Sequence, residues 1–454
     1  MGERFLKLMM DILSQPAVLI ALISFIGLVL QKKAASDIVK GTTKSFLGFI
    51  VIAAGAGILV GSLEPFGKMF EVAFNVSGVV PNNEAIVAMA LTKYGTATAL
   101  IMFFGMFANI LIARFTPFKY IFLTGHHTLY MACMIAVILV VAGFSGTSLI
   151  ILGSIVLGFT MAIFPAMAQP FMRKITGNDQ IGFGHFSTIG YALSGLVGKV
   201  VGKGSKSTED IKFPKGLGFL RDSSVTIALT MSILYVIVAL FAGSSYVESE
   251  LSGGTHYLVF SLLQAVTFAA GVFIILAGVR LVLAEIVPAF RGISNKLVPN
   301  SRPALDCPIV FPYAPNAVLI GFFCSFLGGI VGMLVLGAVG AVIILPGVVP
   351  HFFTGATAGV FGNATGGVRG ATIGSFVNGL LITFIPVFLM PVLGDLGFAN
   401  TTFSDSDFGA TGILLGNLVN WFGTTGVWVV VIAGTILALL PGFFKKNKNT
   451  GMSA

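Results

Sequence analysis

Three ionisable residues interrupt long apolar stretches of the sequence and are the first candidates for chemistry. His126 follows "FLTG", His185 lies in "GFGHF", and Asp306 lies in "LDCPIVFPYAPNAV". A carboxylate accepts hydrogen bonds, and a histidine side chain can donate or accept them near neutral pH. Ionisable side chains at membrane depth are costly and usually mark a substrate or ion path. These residue types therefore predict a hydrogen-bonding site for an anionic or polyhydroxylated small molecule.

The backbone around Asp306 is predicted to be irregular. Prolines recur through this stretch, at Pro303, Pro308, Pro312 and Pro315. A regular helix does not tolerate such a series of prolines. Irregular backbone at membrane depth lines a cavity or is buried in protein, which makes Asp306 and Asn316 the first choices for polar ligand contacts. The alternative is that Asp306 only caps the start of a helix at the interface.

Several other polar residues have two interpretations each. His185 either faces the substrate or packs as a satisfied histidine. His126 and His127 are adjacent, so on a helix they point to different faces, and only one of them is expected to reach a ligand. Glu84 in "VPNNEA" is a weaker ligand candidate. Asp407, at the end of "NTTFSDSD", is expected to lie in a solvated loop.

The composition is that of an integral membrane protein. Of the 454 residues, 56% are hydrophobic and 9% are charged, whereas about a quarter of the residues are charged in soluble domains. Apolar runs close to the roughly 20 residues that span a hydrocarbon core recur along the chain. The 57 glycines and 18 prolines predict helices that pack closely or break within the membrane. The expected fold class is an all-α membrane protein with broken or re-entrant helices.

Several function classes lack their sequence signals. Nothing resembles a phosphate-cradling Gly-x-x-x-x-Gly-Lys loop, which argues against an ATP-driven pump, and no potassium-channel filter motif is present. No metal-ligand spacing appears, and Cys133, Cys307 and Cys324 show no paired spacing. These cysteines are therefore expected to be packing residues. We expect no cofactor, no bound metal and no covalent catalytic residue on this chain.

The basic residues sit in short loops between apolar runs. The net charge of +9 therefore reports membrane topology and does not indicate binding to nucleic acid. The first such loop, "QKKAASDIVKGTTK", is placed in the cytoplasm, which puts the N-terminus outside. Continuing this alternation predicts about eleven spans, with the tail "KKNKN" in the cytoplasm. No cleavable signal peptide is evident.

An internal similarity relates two parts of the chain. The matching pairs are "FLTGHH" (122–127) with "FFTGAT" (352–357), "AFNVSGVVPN" (73–82) with "AFRGISNKLVPN" (289–300), and "HFSTIG" (185–190) with "DFGATG" (407–412). The matching units lie an odd number of predicted spans apart, so they should cross the membrane in opposite directions. Such inverted repeats are typical of secondary transporters, whose substrate site lies at the repeat interface.

The repeat also suggests how the chain is divided. We assign residues 1–222 to the first repeat, which includes a cytoplasmic loop at about 202–222, and residues 223–412 to the second repeat. Residues 413–454 would form a final transmembrane helix and a basic tail. The repeated Thr-Gly turn would mark an equivalent helix start or break in each half, where free amide groups can bind a ligand. His126 follows the first turn, and Ala356 and Thr357 follow the second.

A set of longer segments adds a family resemblance. They are "GTTKSFLGFIVIAAGAGIL", "FLTGHH", "GFGHF", "GVRLVLAEIVPAFRGISNKLVP", "ALDC", "APNAV" and "FFTGATAGVFGNATGG". In order and spacing, over essentially the whole chain, they resemble the ascorbate-specific enzyme IIC component of the bacterial phosphoenolpyruvate-dependent phosphotransferase system. The resemblance implies a homodimeric permease of the cytoplasmic (inner) membrane. Its core domain would hold the sugar, a V-shaped domain would form the dimer contact, the two would be interleaved across both repeats, and transport would be elevator-like.

The resemblance further implies a substrate, partners and ligand positions. Such a permease takes L-ascorbate inward and presents it to a soluble IIB subunit, whose phosphorylated cysteine donates the phosphoryl group; IIA is a further subunit of the system. The family's binding positions map onto Gly55, Glu84, His126, Tyr130, His185, Phe186, Asp306 and Ala356. A family member compared with this chain has tyrosine at the position of Glu84, and glutamine at the positions of Tyr130 and Phe186. Aromatic groups in place of amides change the hydrogen-bonding groups of a polar pocket, so the substrate within ascorbate-like and sugar ligands stays open.

Two function classes follow from these observations. The leading interpretation is a group-translocation permease, in which His126, His185 and Asp306 bind a polyhydroxylated ring and basic cytoplasmic loops bind IIB. Lys203, Lys206, Lys212 and Lys215 are the residues expected to attract such a phosphoprotein, although a loop of this kind is often only solvated. The alternative is a proton-coupled secondary transporter, in which Asp306 or His185 titrates during transport.

Overall fold

The computed structural model describes residues 16–74, 79–81, 83–211, 223–398 and 401–449. Most of this part of the chain is helical. The long helices are α1 (Pro16–Leu30), α2 (Ala35–Phe74), α3 (Asn83–Phe115), α4 (Gly125–Val141), α5 (Gly146–Thr176), α6 (Thr188–Val201), α7 (Ser223–Ala242), α8 (Tyr257–Lys296), α9 (Pro315–Ala338), α10 (Ala356–Leu389) and α11 (Ser406–Asn449). The strands of the described residues are β1 (Val80–Pro81), β2 (Tyr120–Phe122), β3 (Gly182–Phe183), β4 (Arg302–Leu305) and β5 (Thr401–Thr402).

Several helices are long and apolar enough to cross a membrane. Within the described residues, five segments qualify by length and composition: Lys93–Phe115, Gly146–Thr176, Pro315–Ala338, His351–Val392 and Ser406–Ala438. A sixth would be a pair of helices, Met231–Ala242 and Ser244–Leu251, that meet at 103°. The prediction of a helical, multi-pass membrane protein is confirmed. The number of about eleven spans and the orientation of the termini stay predictions.

Helix α10 folds back on itself at Gly367. This glycine has φ 56° and ψ −147°, a conformation that residues with a Cβ atom rarely adopt. Asn378 Nδ2 lies 3.2 Å from Thr354 Oγ1, and Ser375 Oγ donates to the Gly355 carbonyl at 3.3 Å. On a straight helix, residues 354 and 378 would lie roughly 36 Å apart. The segment is therefore a hairpin with two antiparallel arms, which we call the α10 hairpin; its tip is at Gly367.

The α10 hairpin packs closely on α6 and α9. A side chain on Gly366 would collide with the backbone of Gly198 in α6, and a side chain on Gly359 would collide with the Ala317 carbonyl of α9. Small residues at such contacts let helix backbones approach, which favours dispersion contacts within a membrane. A second break occurs in α11, where Gly423 has φ 64°. Breaks of this kind match the prediction of broken helices.

Two groups of helices can be distinguished by their packing. Helices α1, α2, α7 and α8 pack mainly against one another, and the remaining long helices pack around α3, α5 and the α10 hairpin. Within the first group, Ser24 Oγ donates to Ser45 Oγ at 2.7 Å. The hydroxyl of Tyr235 in α7 also donates to the Ser62 carbonyl of α2. The domain boundaries given above stay predictions.

Short parallel strands are the feature that the all-α prediction did not include. In the first strand trio, β4 lies between β2 and β3, with Phe122 opposite Ala304 and Phe183 opposite Leu305. In the second strand trio, β1 lies between β5 and residues 343–345, with Val80 opposite Thr401. Where helices end inside a membrane protein, peptide groups still need partners. Strands of two to four residues supply them.

Candidate functional site

The first strand trio brings the three leading residues together. His126 follows β2, His185 follows β3, and Asp306 follows β4. Because the three strands are parallel, their carboxyl ends meet at one edge. His126 Nε2 lies 3.5 Å from Asp306 Oδ2, and His185 Nε2 lies 3.9 Å from Asp306 Oδ1. The predicted constellation is thus present as one carboxylate facing two imidazole rings.

Asp306 has the capping role considered from the sequence, and its ligand-binding role stays a prediction. Its side chain caps a short 3₁₀ helix by accepting a hydrogen bond from the Cys307 N–H at 2.7 Å. The following prolines continue as a second 3₁₀ turn, Phe311–Tyr313, as expected for backbone that cannot form a regular helix. The Asp306 side chain keeps 23% of its surface exposed. The cap fixes the carboxylate while leaving it accessible to a ligand.

The structure distinguishes the two adjacent histidines. His126 is half-buried and faces Asp306. His127 is buried, its ring lies 3.9 Å from the His185 ring, and it stacks on Phe408 at 5.6 Å between centroids. The Phe186 N–H donates to His127 Nδ1 at 3.4 Å. His126 is therefore the histidine at the accessible side of Asp306. His127 is buried and packs against His185 and Phe408.

His185 is held by residues that sequence analysis did not identify. The Tyr191 hydroxyl lies 2.8 Å from His185 Nδ1, and Asp405 Oδ2 lies 3.6 Å from the same nitrogen. Both Tyr191 and Asp405 are buried. Asp405 Oδ1 accepts hydrogen bonds from Ser404 Oγ at 2.6 Å and from Asn83 Nδ2 at 3.2 Å. The carboxyl end of the second strand trio thereby contacts that of the first.

The prediction that Asp407 lies in a solvated loop was wrong. Asp407 is fully buried at the start of α11. Its carboxylate accepts hydrogen bonds from the N–H groups of Thr188 at 2.8 Å and Ile189 at 2.9 Å. A carboxylate at a helix start satisfies amide groups that have no partner within the helix. The polar stretch before Asp407 therefore serves to cap α6, and its polarity does not indicate exposure.

Other predicted residues surround the cluster or serve elsewhere. The Tyr130 ring lies 5.8 Å from the His126 ring and 6.0 Å from the His127 ring. Phe186 is fully buried and stacks on Phe122 at 4.6 Å, so its side chain belongs to the core behind the site. Asn316 donates from its side-chain amide to the Thr208 carbonyl at 3.0 Å. That bond fastens the 202–210 segment to the start of α9.

The remaining predicted residues lie on three different helices. Gly55 is buried within α2, and Glu84 is the second residue of α3, where its side chain lies outside the described residues. Ala356 and Thr357 begin the helical part of the α10 hairpin and are buried. The Thr357 hydroxyl donates to the Phe353 carbonyl at 2.8 Å and interacts with the Cys307 thiol next to Asp306. Thr357 therefore connects the second Thr-Gly turn to the Asp306 segment.

A cluster of charges holds the amino-terminal end of the first strand trio. Arg302 of β4 bonds to the carboxylate and the carbonyl of Asp179, and Arg173 of α5 bonds to the same carboxylate at 2.8 Å. Partial burial alone would raise the pKa of Asp179, but hydrogen bonds from Arg173, Arg302 and Gln169 outweigh it and lower the pKa to about 2. This cluster fixes β4 at the end opposite Asp306.

The outer edge of β2 is paired with a side chain. Asn109 of α3 is buried. Its Nδ2 donates to the Tyr120 carbonyl at 3.1 Å, and its Oδ1 accepts from the Phe122 N–H at 3.0 Å. The amide thus makes the two hydrogen bonds that a further strand would make. Nothing around a single asparagine in an apolar helix indicated this role in the sequence.

Potential metal ligands also converge, although their sequence spacing gave no sign of it. In three overlapping groups the ligand atoms lie within 4.8 Å of one another: His126, His127 and Asp306; His127, His185 and Asp405; and His185, Asp306 and Cys307. Imidazole and carboxylate groups suit several divalent metals. The same groups are hydrogen-bond donors and acceptors for a sugar. The prediction that the protein carries no metal stays a prediction.

Comparisons with known proteins relate most of the chain to one family of membrane proteins. A family model described as "PTS system sugar-specific permease component" matches residues 11–407. A similar protein is the "Ascorbate-specific PTS system EIIC component" of Mycoplasma pneumoniae, which is 24% identical over a 406-residue alignment. The alignment covers 78% of this chain and 61% of the relative. The chain therefore matches less than two thirds of that protein's length.

Proposed function

The chain belongs to the family of sugar-specific permease components of the phosphotransferase system, and from this we propose that it imports L-ascorbate or a closely related sugar acid. The imported molecule would be presented on the cytoplasmic side to a IIB subunit, which phosphorylates it, with IIA as the upstream phosphoryl carrier. This chain would bind and carry the substrate, and the phosphoryl chemistry would take place on IIB.

The observation that carries the proposal is the Asp306 carboxylate between His126 and His185. The carboxylate can accept hydrogen bonds from ligand hydroxyl groups, and the imidazole N–H groups can donate to ring or anionic oxygens. Ligand pockets of this kind fix orientation through a few convergent polar groups set in apolar surroundings. Phe122, Phe186 and Phe408 supply those surroundings. A small, flat, polyhydroxylated acid matches this combination of groups.

L-ascorbate is the first candidate for two reasons. The Mycoplasma pneumoniae relative carries that substrate in its name, and the resemblance at the residue level includes His126, His185 and Asp306. Tyr130 would add an aromatic face and a hydroxyl beside His126. Phe186 adds no polar side-chain group, because its ring is buried against Phe122. A related sugar acid with fewer hydrogen-bonding positions therefore remains a second candidate.

The separate packing of the two helix groups supports different roles for them during transport. We assign α1, α2, α7 and α8 to the V-shaped domain that would form the contact of a homodimer. The strand trios and the α10 hairpin would belong to the core domain that moves with the substrate in an elevator-like step. Rigid-body movement of one domain relative to another is a common basis of alternating access in membrane transporters.

Basic residues near the hairpin tip are candidates for binding IIB. Lys203, Lys206 and Arg369 are exposed. The Val368 N–H donates to the Lys206 carbonyl at 2.8 Å, so these charges lie next to the tip. A positive surface attracts a phosphorylated partner and speeds its association. Lys212 and Lys215, predicted to join them, lie outside the described residues.

A binding screen tests the substrate. Purified protein in detergent is titrated with L-ascorbate, with other sugar acids, and with neutral hexoses and pentitols. We expect saturable binding of L-ascorbate or another sugar acid, with neutral sugars at least about tenfold weaker, a difference of about 1.4 kcal/mol. Tighter binding of a neutral hexose than of every sugar acid would contradict the proposed substrate class.

A vesicle experiment tests the mode of transport. Proteoliposomes are prepared with this protein alone, or with IIA, IIB and a phosphoryl donor added on the cytoplasmic side. Group translocation predicts phosphorylated product only when IIA and IIB are present. Accumulation of unmodified ligand driven by a proton gradient, without these subunits, would instead identify a proton-coupled secondary transporter.

A further inference from the structure

We propose that Tyr191 is a positioning residue that keeps the ring hydrogen of His185 on Nε2, so that His185 presents an N–H donor to a ligand bound beside Asp306. The proposal rests on the proposed ligand site. It adds the Tyr191 hydroxyl as the group that decides whether His185 donates a hydrogen bond to the ligand or accepts one. A neutral imidazole has one donor and one acceptor nitrogen, and the partner of one nitrogen sets the role of the other. The surroundings of the two nitrogens therefore decide what the ligand meets.

On one side of the ring, the Tyr191 hydroxyl lies 2.8 Å from Nδ1. Tyr191 is fully buried, and its ring packs at right angles to the Phe183 ring at 5.3 Å. It also lies 5.5 Å from the Phe361 ring of the α10 hairpin. These contacts fix the position of the hydroxyl oxygen next to Nδ1. If it donates its hydrogen to Nδ1, that nitrogen is the acceptor and the ring hydrogen is on Nε2.

On the other side of the ring, Nε2 faces Asp306 Oδ1 at 3.9 Å. A carboxylate has only lone pairs to offer, so an N–H facing it is favourable and a nitrogen lone pair facing it is not. The two sides of the ring thus favour the same tautomer. A ligand bound beside His185 and Asp306 would meet one N–H donor and one carboxylate acceptor, which suits neighbouring hydroxyl or oxygen groups on a sugar acid.

Asp405 is the competing partner of Nδ1. Its Oδ2 lies 3.6 Å from Nδ1, which is longer than an ordinary hydrogen bond. Its Oδ1 is already held by Ser404 and Asn83. If the Tyr191 hydroxyl is removed, the carboxylate of Asp405 favours a hydrogen on Nδ1. Nε2 would then become an acceptor, and its lone pair would face Asp306 and the ligand.

The tautomer itself can be measured without a ligand. Protein labelled with ¹⁵N-histidine is placed in lipid nanodiscs, and solid-state NMR at about pH 8, where an ordinary histidine is neutral, separates protonated from unprotonated ring nitrogens. Comparison with His185→Gln identifies the signals of His185. We expect Nε2–H in the unaltered protein and Nδ1–H in Tyr191→Phe. An Nδ1–H tautomer in the unaltered protein, or no change in Tyr191→Phe, would overturn the proposal.

Binding gives the second measurement, and a double variant provides a rescue. Tyr191→Phe should weaken L-ascorbate binding about 10- to 100-fold, because a donor facing the ligand becomes an acceptor. Adding Asp405→Asn should restore most of that loss. The new side-chain carbonyl can still accept from Asn83 and Ser404, while the new amide nitrogen can donate to Nδ1 and return the hydrogen to Nε2. A residue with a merely structural role would show no such rescue.

The matched control is Tyr235→Phe. Tyr235 is also fully buried, but its hydroxyl donates to the Ser62 carbonyl within the other helix group. This variant should leave the His185 signals and ligand affinity unchanged. A double variant that binds no better than Tyr191→Phe would overturn the proposal. If the unaltered protein binds no sugar acid at all, the proposed function fails, whereas the ligand-free NMR comparison still decides the role of Tyr191.

Discussion

The first strand trio ends at a carboxylate that a ligand can reach, and the second ends at one that is closed off. Asp306 keeps 23% of its side-chain surface exposed and faces two histidines. Asp405 keeps 3% exposed and is held by Ser404 and Asn83. The two carboxylates stand on opposite sides of His185, at 3.9 Å and 3.6 Å from its two nitrogens. One side of this ring therefore faces the ligand, and the other side faces supporting structure.

The backbones of the two trios follow the same plan. In the first, a central strand from the later part of the chain lies between two strands from the earlier part. In the second, central β1 comes from the earlier part, and its neighbours, residues 343–345 and β5, come from the later part. Two copies of one unit that exchange strands would give this reciprocal arrangement. The pattern supports the inverted repeat, which stays a prediction.

The difference between the trios shows that one scaffold can hold two kinds of polar group. Histidines follow the outer strands of the first trio, so its carboxylate lies among groups that can change hydrogen-bonding role. An amide and a hydroxyl surround the carboxylate of the second trio, so its hydrogen bonds are internal. Binding chemistry is thus concentrated at one trio, while the other orients a shared residue, His185. The following predictions test that division.

The largest effect is expected at Asp306. Asp306→Asn removes the charge and one acceptor position at the centre of the proposed site. Because hydrogen bonds to a charged group contribute about 1.5–3 kcal/mol each, losing them should weaken L-ascorbate binding by about 100-fold or more. The variant should still fold, because the new side chain can keep the bond to the Cys307 N–H. Titration calorimetry measures the affinity, and elution as a single species checks folding.

Asp395→Asn is the matched control for this change. The Asp395 side chain is 94% exposed and pairs with Lys93 at 3.6 Å, so its carboxylate lies in solvent although the residue precedes β5 closely in sequence. The same chemical change there should leave the affinity within about twofold, since exposed ion pairs contribute little. Unchanged affinity in Asp306→Asn, with folding intact, would show that Asp306 does not bind the ligand. The proposed difference between the two trios would then be wrong.

The next effect is expected at the edge of the first trio. Asn109→Leu leaves the Tyr120 carbonyl and the Phe122 N–H buried without their present partner. An unsatisfied buried group costs about 1–3 kcal/mol, so the stability of the fold should fall by about 2–4 kcal/mol. Thermal unfolding of the purified protein measures the loss. Asn417→Leu serves as control: within the described residues, the Asn417 amide adds one bond to the Ile413 carbonyl of its own helix, and its loss should cost less than about 1 kcal/mol.

A smaller effect is expected at the opposite end of the same trio. Asp179→Asn weakens the bonds to Arg173 and Arg302. Because Asp179 is 39% exposed, solvent screens the charges, and the loss should be about 1 kcal/mol. The pKa of Asp179 is lowered to about 2, below the value of about 3.9 for an unfolded aspartate. Its charge therefore stabilises the folded state above about pH 4, and this contribution is lost as the pH falls toward 2.

Unfolding midpoints across a pH series test this assignment. The difference in stability between the unaltered protein and Asp179→Asn should be constant from about pH 5 to 8 and should shrink below about pH 4. A difference that changes between pH 6 and 8 would point to a histidine instead. Equal stability of the two proteins at every pH would show that the cluster does not hold β4.

The part of the site that the sequence could predict follows from a simple physical contrast. Three residues stand out in the sequence: His126, His185 and Asp306. Ionisable groups are rare in apolar sequence because placing them inside a membrane costs free energy. Supporting residues have no such signal. Tyr191 and Asn109 are single polar residues within helices, and nothing local shows what they contact. Asp407 was misjudged because a run of polar residues looks the same whether it is solvated or caps a buried helix.

The fold shows a similar limit. Helices were predictable because long apolar runs must form helices in a membrane. Strands as short as Val80–Pro81 and Gly182–Phe183 have no measurable alternation, so their presence depends on partners far along the chain. The break at Gly367 was foreseen only as a general consequence of many glycines. Its position became clear from contacts such as that between Thr354 and Asn378.

The smallest predicted effect concerns the second trio and has the opposite sign. Thr402 lies in β5 and is fully buried, and its hydroxyl makes no hydrogen bond within the described part of the chain. A buried hydroxyl without a partner is destabilising. Thr402→Val keeps the shape of the side chain and should leave stability unchanged or raise it by up to about 1 kcal/mol, with ligand affinity unaltered. A drop in affinity, measured by the same titration, would mean that the second trio takes part directly in binding, and the division between the trios would then be incorrect.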